Sequence, residues 1–295
     1  MNTLELHRKF RRYCSLEEGL SPKTIYGLKS AIEVFVHRSK ITLISAINID
    51  SVREFFYEGI EVSHWSYWTI VNYHKYLKKF FVWCIDNGYM TENPVQYIKK
   101  PKKPQSLPRR LSYEEGQKVL SHVSHCDWRY EFEHSRNHAI IATFLYSGLR
   151  AKELLNLKMM DVDLRENTLF VREGKGNKDR IVPIHTKLGY ILKYYLRERK
   201  RLDKKSEYLF TGVRSDLPLS YKNVGFMCKR ISKVSGVKFT PHCLRHTFGS
   251  VAIEQGMGIV QLKEILGHSN IASTMIYLKM SPKGLQESLE KLELF

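Results

Sequence analysis

One segment of the sequence places an imidazole and a guanidinium at helical spacing. Thr240 followed by Pro241 is typical of a helix start, because threonine can cap free backbone N–H groups and proline suits the first helical position. His242 and Arg245 are three residues apart on this helix, so they share a face. Two such side chains near a helix N-terminus predict a site for an anion. An ordinary basic pair on the surface is the alternative, and this segment alone does not decide between the two.

A zinc site is a further alternative for the same helix. His242 and His246 have the four-residue spacing of two metal ligands on one helix face. However, no glutamate follows His242 as in the His-Glu-x-x-His metalloproteases, and the sequence offers no third ligand. The five cysteines are scattered without a Cys-x-x-Cys pair, which argues against zinc and disulfides and for a reducing compartment. We therefore expect no metal and no cofactor, and for His246 a packing or solvated role.

A histidine and a tyrosine follow in the last part of the sequence. Gly267 is typical of a residue that ends a helix, which leaves His268 just past that end, and Tyr277 comes nine residues later. The ordinary tyrosine pKa is about 10, so roughly one side chain in a thousand is ionised at neutral pH. A nucleophilic tyrosine therefore needs a nearby base or a strong positive field. Because the chain has 17 tyrosines, only its position after the neighbouring motifs distinguishes Tyr277 from a structural tyrosine.

Taken in order, these segments resemble the tyrosine recombinase (phage integrase) family. The His-x-x-Arg of His242 and Arg245, the Leu-Gly-His at 266–268 and Tyr277 are similar to the second box of that family. Residues 146–154, which read Tyr-Ser-Gly-Leu-Arg-Ala-Lys-Glu-Leu, are similar to its first box, Gly-Leu-Arg-x-x-Glu-Leu.

The resemblance extends beyond the two boxes. Residues 174–180 resemble the lysine-bearing β-loop of Xer-type members. Each motif is short, but four in the same order make the match over residues 107–295 specific. Residues 1–100 match the core-binding domain of the family more loosely, in a Ser-Pro-x-Thr at 21–24 and an Asn-Pro at 93–94.

The resemblance implies a catalytic set and a role for each member. The set is Arg150, Lys175, His242, Arg245, His268 and Tyr277. The two arginines and His268 would bind the nonbridging oxygens of a DNA phosphate, where negative charge grows in the transition state. Tyr277 would attack phosphorus with His242 as its base, and Lys175 would protonate the leaving 5′-hydroxyl group. No ATP and no metal would be needed, because the phosphotyrosine stores the energy of the broken bond.

Two neighbouring residues have other expected roles. Lys178 shares the loop with Lys175, but the Gly-Lys-Gly context and the offset from Arg150 favour Lys175 as the acid. Glu153 is expected to support the site rather than to react.

The function that the resemblance implies is site-specific DNA recombination through a 3′-phosphotyrosyl intermediate and a Holliday junction. Xer-type resolution and integration or excision of a mobile element both stay open. The alternatives are a catalytically silent DNA-binding protein on the same scaffold, a metal-dependent nuclease, and a type IB topoisomerase, which shares the covalent chemistry but acts on one duplex.

The charge of the chain agrees with a nucleic-acid partner. Lysine and arginine outnumber aspartate and glutamate by 48 to 30, for a formal net charge of +18 and a pI near 9.6. Neutralisation of phosphates by such side chains supplies much of the affinity of proteins for DNA. The partner that the resemblance implies is double-stranded DNA with an inverted-repeat core site.

The elements that must position these residues predict a mainly α protein with a small antiparallel sheet. We expect an N-terminal helical core-binding domain over 1–98, a basic proline-rich linker over 99–110, and a mixed α/β tyrosine-recombinase catalytic domain over 111–295. Helix signals and one β-hairpin follow this division. The predicted helices start at Ser21-Pro22 and Ser112 and span about 42–59, 70–87, 135–146 and 151–157, and the predicted strands are 168–172 and 180–184.

The ends of the chain predict location and assembly. The N-terminus lacks the apolar region of a signal peptide, and the longest nearly apolar run, 139–149, is too short to span a bilayer, so we expect a cytoplasmic protein without membrane contact. After Tyr277, the tail carries Leu285, Leu289 and Leu292. In the family the corresponding segment docks on a neighbouring subunit, which implies a homotetramer on two DNA sites. An accessory protein or partner recombinase is possible.

Overall fold

The computed structural model describes residues 1–104, 107–172 and 179–280. The chain forms two compact units, Met1–Ser106 and Leu107–Phe295. The division between them falls within the basic segment 99–110. None of the helices in the described ranges is both long and apolar enough to cross a membrane.

The first unit is a bundle of helices around an aromatic core. Its helices are α1 (Thr3–Leu16), α2 (Pro22–Ser39), α3 (Ile49–Glu61) and α4 (Tyr67–Asp86), with short 3-10 turns at Ile44–Ala46 and Pro94–Tyr97. The predicted start of α2 is confirmed, because Ser21 accepts a hydrogen bond from the Thr24 amide and Pro22 is the first helical residue. Phenylalanines from all four helices meet in the core. They are Phe10, Phe35, Phe55, Phe56, Phe80 and Phe81.

Two features of this unit differ from the sequence prediction. The helix predicted from about 42 begins only at Ile49, because Asn48 and Ser51 cap each other reciprocally and the chain before them forms a 3-10 turn. Helix α1 was not predicted. Its buried side chains Leu6, Phe10 and Cys14 stand among basic residues, so its apolar stripe is narrow.

The second unit surrounds one buried helix. Its helices are α5 (Tyr113–His125), α6 (Glu131–Ser147), α7 (Ala151–Asn156), α8 (Thr186–Arg201), α9 (Tyr221–Ser235), α10 (Pro241–Glu254), α11 (Ile259–Leu266) and α12 (Ala272–Met280). Helix α6 packs against α5, α8 and α10, which bury it on most sides. It begins at Glu131, four residues before the predicted start, and carries buried side chains around its circumference, among them Ile140, Ile141 and Phe144. The C-terminal end of α6 is buried at Ser147, so the chain leaves the helix from within the core.

A three-stranded antiparallel sheet completes the second unit. Its strands are β1 (Val162–Asp163), β2 (Thr168–Val171) and β3 (Arg180–Pro183), in the order β1-β2-β3. The predicted hairpin is confirmed, with Val171 opposite Arg180 and Thr168 opposite Pro183. β1 was not predicted, because two residues carry no periodic signal. The loop that joins β2 to β3, with Lys175, lies outside the described residues.

Candidate active site

Two glycines shape the chain around the predicted catalytic residues. Gly148 ends α6 with φ of 61° and Gly267 ends α11 with φ of 63°, a left-handed conformation that residues with a Cβ rarely adopt. The turn after Gly148 brings Arg150 to the start of α7. The turn at Gly267 brings His268 beside it, and Arg150 Nη2 donates to the Gly267 carbonyl at 3.1 Å.

The Arg245 guanidinium is buried at the centre of the site. Its side chain extends from α10, and only 2% of the residue is exposed. Nη1 donates to the Gly148 carbonyl at 2.7 Å, and Nη2 donates to the Leu266 carbonyl at 2.8 Å. Burial and then the charge of Arg150 lower the pKa of Arg245 to about 10, so it is a cation at neutral pH. A buried arginine therefore joins the ends of α6 and α11.

Glu153 connects three guanidiniums. Burial alone would raise its pKa, but hydrogen bonds and charges from Arg180 and Arg150 outweigh burial and lower the pKa to about 2. Arg150 donates from Nη1 at 2.6 Å and from its backbone amide at 2.8 Å to the Glu153 carboxylate. Arg245 Nη1 lies 3.8 Å from the same carboxylate. We expected Glu153 to support the site, and the structure places its carboxylate among the three arginines.

His268 lies between Arg245 and a threonine. Arg245 Nη2 is 2.9 Å from His268 Nε2, and Nδ1 is 2.8 Å from the Thr274 hydroxyl. Because a guanidinium can only donate, Nε2 accepts, and Nδ1 must carry the proton that it donates to Thr274. In this arrangement Thr274 determines the tautomer of His268.

Tyr277 is buried in the same place. It is 1% exposed, and its ring is nearly parallel to that of His268, with the ring centroids 6.4 Å apart. Burial raises the pKa of Tyr277, and the charge and hydrogen bond of Arg245 act in the opposite direction without cancelling it. Tyr277 packs against Gly249, where an added Cβ would lie 2.5 Å from its ring.

His242 and His246 form a pair beside the tyrosine. Their Nε2 atoms are 3.2 Å apart, and the His246 ring centroid is 5.7 Å from that of Tyr277. Burial, followed by the charges of Arg245 and Arg150, lowers the pKa of His242. Burial and the two neighbours His242 and Arg245 lower the pKa of His246 to about 4. Both rings are therefore neutral at pH 7, and His246 lies in the site, in contact with His242.

The structure thus brings together five of the six predicted residues: Arg150, His242, Arg245, His268 and Tyr277. Lys175, the sixth, lies outside the described residues. Three residues of the site were not predicted, namely Arg180, Gly249 and Thr274. Arg180 could have been suspected as the first residue of the strand after the lysine loop, whereas no local signal identifies the other two. Among the described residues, no group of three or more His, Cys, Asp or Glu side chains is placed to hold a metal ion.

The arrangement is suited to binding an anion next to a tyrosine. Three arginines and one glutamate leave an excess of positive charge, and both arginines that were predicted to bind phosphate lie within contact distance of the Glu153 carboxylate. In a buried site, fixed donors of this kind stabilise growing negative charge more strongly than water does.

Comparison with known proteins agrees with the family resemblance that the sequence motifs indicated. The phage integrase family model matches residues 109–283. The tyrosine recombinase XerA of Pyrococcus horikoshii is 37% identical over 205 residues, which are 69% of this chain and 68% of that protein. The tyrosine recombinase XerC of Thermodesulfovibrio yellowstonii is 31% identical over 298 residues, 98% of this chain and 96% of the relative.

Solved structures share the fold over nearly the whole chain. A crystal structure of XerA recombinase covers 99% of each chain with 28% identity and a TM-score of 0.56. A post-cleavage complex of the XerH site-specific recombinase with its palindromic difH substrate superposes with a TM-score of 0.77 over 97% of this chain and 84% of that one, at 22% identity. On the family match over residues 109–283 and the similarity to XerC over 98% of the chain, the chain belongs to the phage integrase family of tyrosine recombinases, with Xer-type proteins among its relatives.

Proposed function

We propose that this protein is a site-specific recombinase that cleaves and rejoins double-stranded DNA with Tyr277 as its nucleophile. The observation that carries the proposal is the burial of Tyr277 beside His268, with the two rings nearly parallel and their centroids 6.4 Å apart, where the charge of Arg245 acts to lower the pKa of Tyr277. A phosphate bound by Arg245 would therefore lie close to the attacking oxygen. Among 17 tyrosines, Tyr277 is the one at the expected place in the family's second box.

The reaction exchanges one ester bond for another. The Tyr277 oxygen attacks phosphorus, the bond from phosphorus to the 5′-oxygen breaks, and the DNA is left with a 3′-phosphotyrosine and a free 5′-hydroxyl. Attack by the 5′-hydroxyl of a second DNA reverses the step and exchanges the strands. Arg150 and Arg245 bind the nonbridging oxygens, because two guanidiniums at fixed positions stabilise the extra charge of the transition state.

Proton transfer needs a base and an acid. His242 has a lowered pKa and so is neutral at pH 7, and its Nε2 lies 3.2 Å from that of His246, whose ring centroid is 5.7 Å from that of Tyr277. We assign it as the base that takes the phenol proton. Lys175 remains the predicted acid for the leaving 5′-oxygen, on the strength of the resemblance alone.

His268 has two states in this proposal. Without DNA its Nε2 accepts from Arg245, so that atom has no proton to offer. To donate to a phosphate, as the resemblance implies, Nε2 must carry a proton while the phosphate is bound. Arg245 exchanges its bond to His268 for one to phosphate.

The partner that we propose is an inverted-repeat DNA site, with the unit over 1–98 as the core-binding domain and the unit over 111–295 as the catalytic domain. The net charge of +18 supports a polyanion, and the XerH structure contains DNA with a palindromic site. Two such sites in one synapse require four subunits, and we place the assembly in the cytoplasm with the DNA. Deleting 284–295 should weaken cooperative assembly and spare binding to a single site; unchanged cooperativity would count against a role for the tail in assembly.

Covalent trapping tests the function. The protein is expressed in its host, denatured rapidly, and the DNA that stays attached is sequenced, with Tyr277→Phe as the matched control. We expect adducts at one short inverted-repeat site that the control lacks. Binding without adducts in either protein would favour the silent DNA-binding alternative, and relaxation of supercoils without recombinants would favour a topoisomerase. A site on the chromosome or at the ends of an element separates the two recombinase roles.

A further inference from the structure

Arg180 makes hydrogen bonds to two separate parts of the site. It is the first residue of β3, and its side chain is 10% exposed. Nη1 and Nη2 donate to the two oxygens of the Glu153 carboxylate at 3.2 and 2.9 Å. Nε donates to the carbonyl of Ile265, near the end of α11, at 2.8 Å.

Each of these contacts leads to a phosphate-binding side chain. On one side, Glu153 holds Arg150 by two hydrogen bonds, of which the shorter is 2.6 Å. On the other side, Ile265 stands two residues before Gly267, and the Arg180 guanidinium packs so closely on Gly267 that an added Cβ would be 2.8 Å from Nη1. The next residue is His268. Arg180 therefore contacts the supports of Arg150 and of His268 at once.

Only an arginine can make this set of contacts. Its planar group presents donors in a fixed fork, so it can bind a carboxylate with two nitrogens while the third reaches a carbonyl. A lysine supplies the charge from one atom and cannot span both partners with the same geometry. Removing the charge would also leave Glu153, whose side chain is 5% exposed, with one cation fewer.

We propose that Arg180 is a positioning residue for DNA cleavage, which sets the distance between Arg150 and His268 by joining Glu153 to the end of α11. It does not touch the reacting phosphate. The proposal rests on the proposed recombinase function, and it adds a residue to the machinery of the same site.

The experiment measures covalent complex formation by the full-length protein. The substrate is a nicked duplex with the site recovered by trapping, prepared with a normal scissile phosphate or with a methylphosphonate, in which a methyl group replaces one nonbridging oxygen and removes its charge. The variants are Arg180→Gln and Arg180→Lys. The control is Arg172→Gln, which breaks a 2.7 Å ion pair between the residue that follows β2 and the buried carboxylate of Asp161.

For Arg180→Gln we expect a rate that falls about 10-fold to 100-fold on the phosphodiester at saturating DNA, with a Kd for DNA within about threefold of the wild type. The loss should be at least about fivefold smaller on the methylphosphonate, because a neutral ester needs less exact placement of Arg150. In an Arg150→Ala background the same substitution should cost less than about threefold. Arg172→Gln should leave both rates near the wild-type values.

Equal losses on both substrates, or full additivity with Arg150→Ala, would overturn the proposal in favour of a role in folding only. If Arg180→Gln fails to fold, Arg180→Lys decides: a soluble lysine variant with wild-type rates would also overturn it. Failure of the wild-type protein to form any adduct would instead reject the proposed function, so the two failures are distinguishable.

Discussion

Two main-chain carbonyls hold the guanidinium of Arg245 and thereby define its position. Its bonds to Gly148 and Leu266 use backbone atoms whose places are set by helix ends. Its bond to His268 is to a side chain and can be exchanged for one to another acceptor. A phosphate that enters the site can therefore take over this donor without moving the guanidinium, so little reorganisation accompanies binding.

At the residue scale, the Thr274 hydroxyl should matter through the tautomer of His268. Thr274→Val keeps the shape of the side chain but leaves the Nδ1 proton without its acceptor at 2.8 Å. We expect a loss of about 1 kcal/mol, or roughly fivefold in cleavage rate, with DNA binding unchanged. Single-turnover cleavage of the recovered site measures the effect. Thr274→Ser, which retains the hydroxyl, is the control, and an equal loss in both variants would show that packing and not the hydrogen bond is responsible.

Most of the charged residues in the site could be predicted from the sequence, Glu153 among them, but Arg180 and Thr274 could not. Arg150, Arg245 and His268 each stand in a short motif with a recognisable helix start or stop. Arg180 and Thr274 do their work through contacts that local patterns do not encode, since Arg180 is 85 residues from its partner Ile265. Local periodicity reports on neighbours along the chain, and such contacts arise only from the folded arrangement.

At the element scale, the helix ends carry most of the site geometry. The capping residues predicted two of these positions correctly, Thr240 before α10 and Gly267 after α11. The boundaries of α3 and α6 were less predictable, since the sequence gives no rule for where a 3-10 turn stops or how far a buried helix extends. The one β-hairpin was recognised because two β-rich runs flank a glycine-rich loop.

At Gly249, helices α10 and α12 approach each other closely, with the Tyr277 ring of α12 packed on the glycine of α10. Gly249→Ala would push that ring away, because the added Cβ would lie 2.5 Å from it. We expect cleavage to fall about 100-fold with nearly normal DNA affinity. The control is Gly225→Ala on α9, where no atom lies within 4 Å of an added Cβ. There the substitution should increase the stability of the helix by about 0.5–1 kcal/mol.

Covalent complex formation and thermal unfolding of the two proteins measure this prediction. A Gly249→Ala protein that cleaves at the wild-type rate would show that the contact between α10 and the tyrosine does not set the position of the nucleophile.

At the scale of the whole molecule, the stability of the first unit should depend on pH through a histidine in its core. His7 on α1 is 2% exposed, and its ring meets that of Phe80 edge to face. Burial and then the charges of Arg11 and Lys29 lower its pKa from 6.5 to about 4. Between pH 6.5 and pH 4 the His7 side chain is protonated in the unfolded chain but neutral in the folded chain. The contribution of His7 to the free energy of unfolding is therefore fully present above pH 6.5 and falls as the pH decreases toward 4.

Between pH 7 and pH 5 we expect His7 to account for a loss of about 2 kcal/mol in the free energy of unfolding. His7→Leu should remove this part of the slope, whereas His37→Leu, at an exposed position of α2, should not. Urea unfolding followed by tryptophan fluorescence is a suitable probe, because Trp65, Trp68 and Trp83 all belong to the first unit. Identical slopes in the wild type and His7→Leu would contradict the assignment.

A tyrosine that is enclosed by protein and keeps its proton is also shielded from reagents in the surrounding water. Nitrating and acylating agents react with accessible phenols. Tyr26 and Tyr190, which are 71% and 68% exposed, are accessible to such reagents. Tyr277, at 1%, does not. We therefore expect oxidative damage to modify tyrosines on the surface of the molecule long before it reaches the proposed nucleophile.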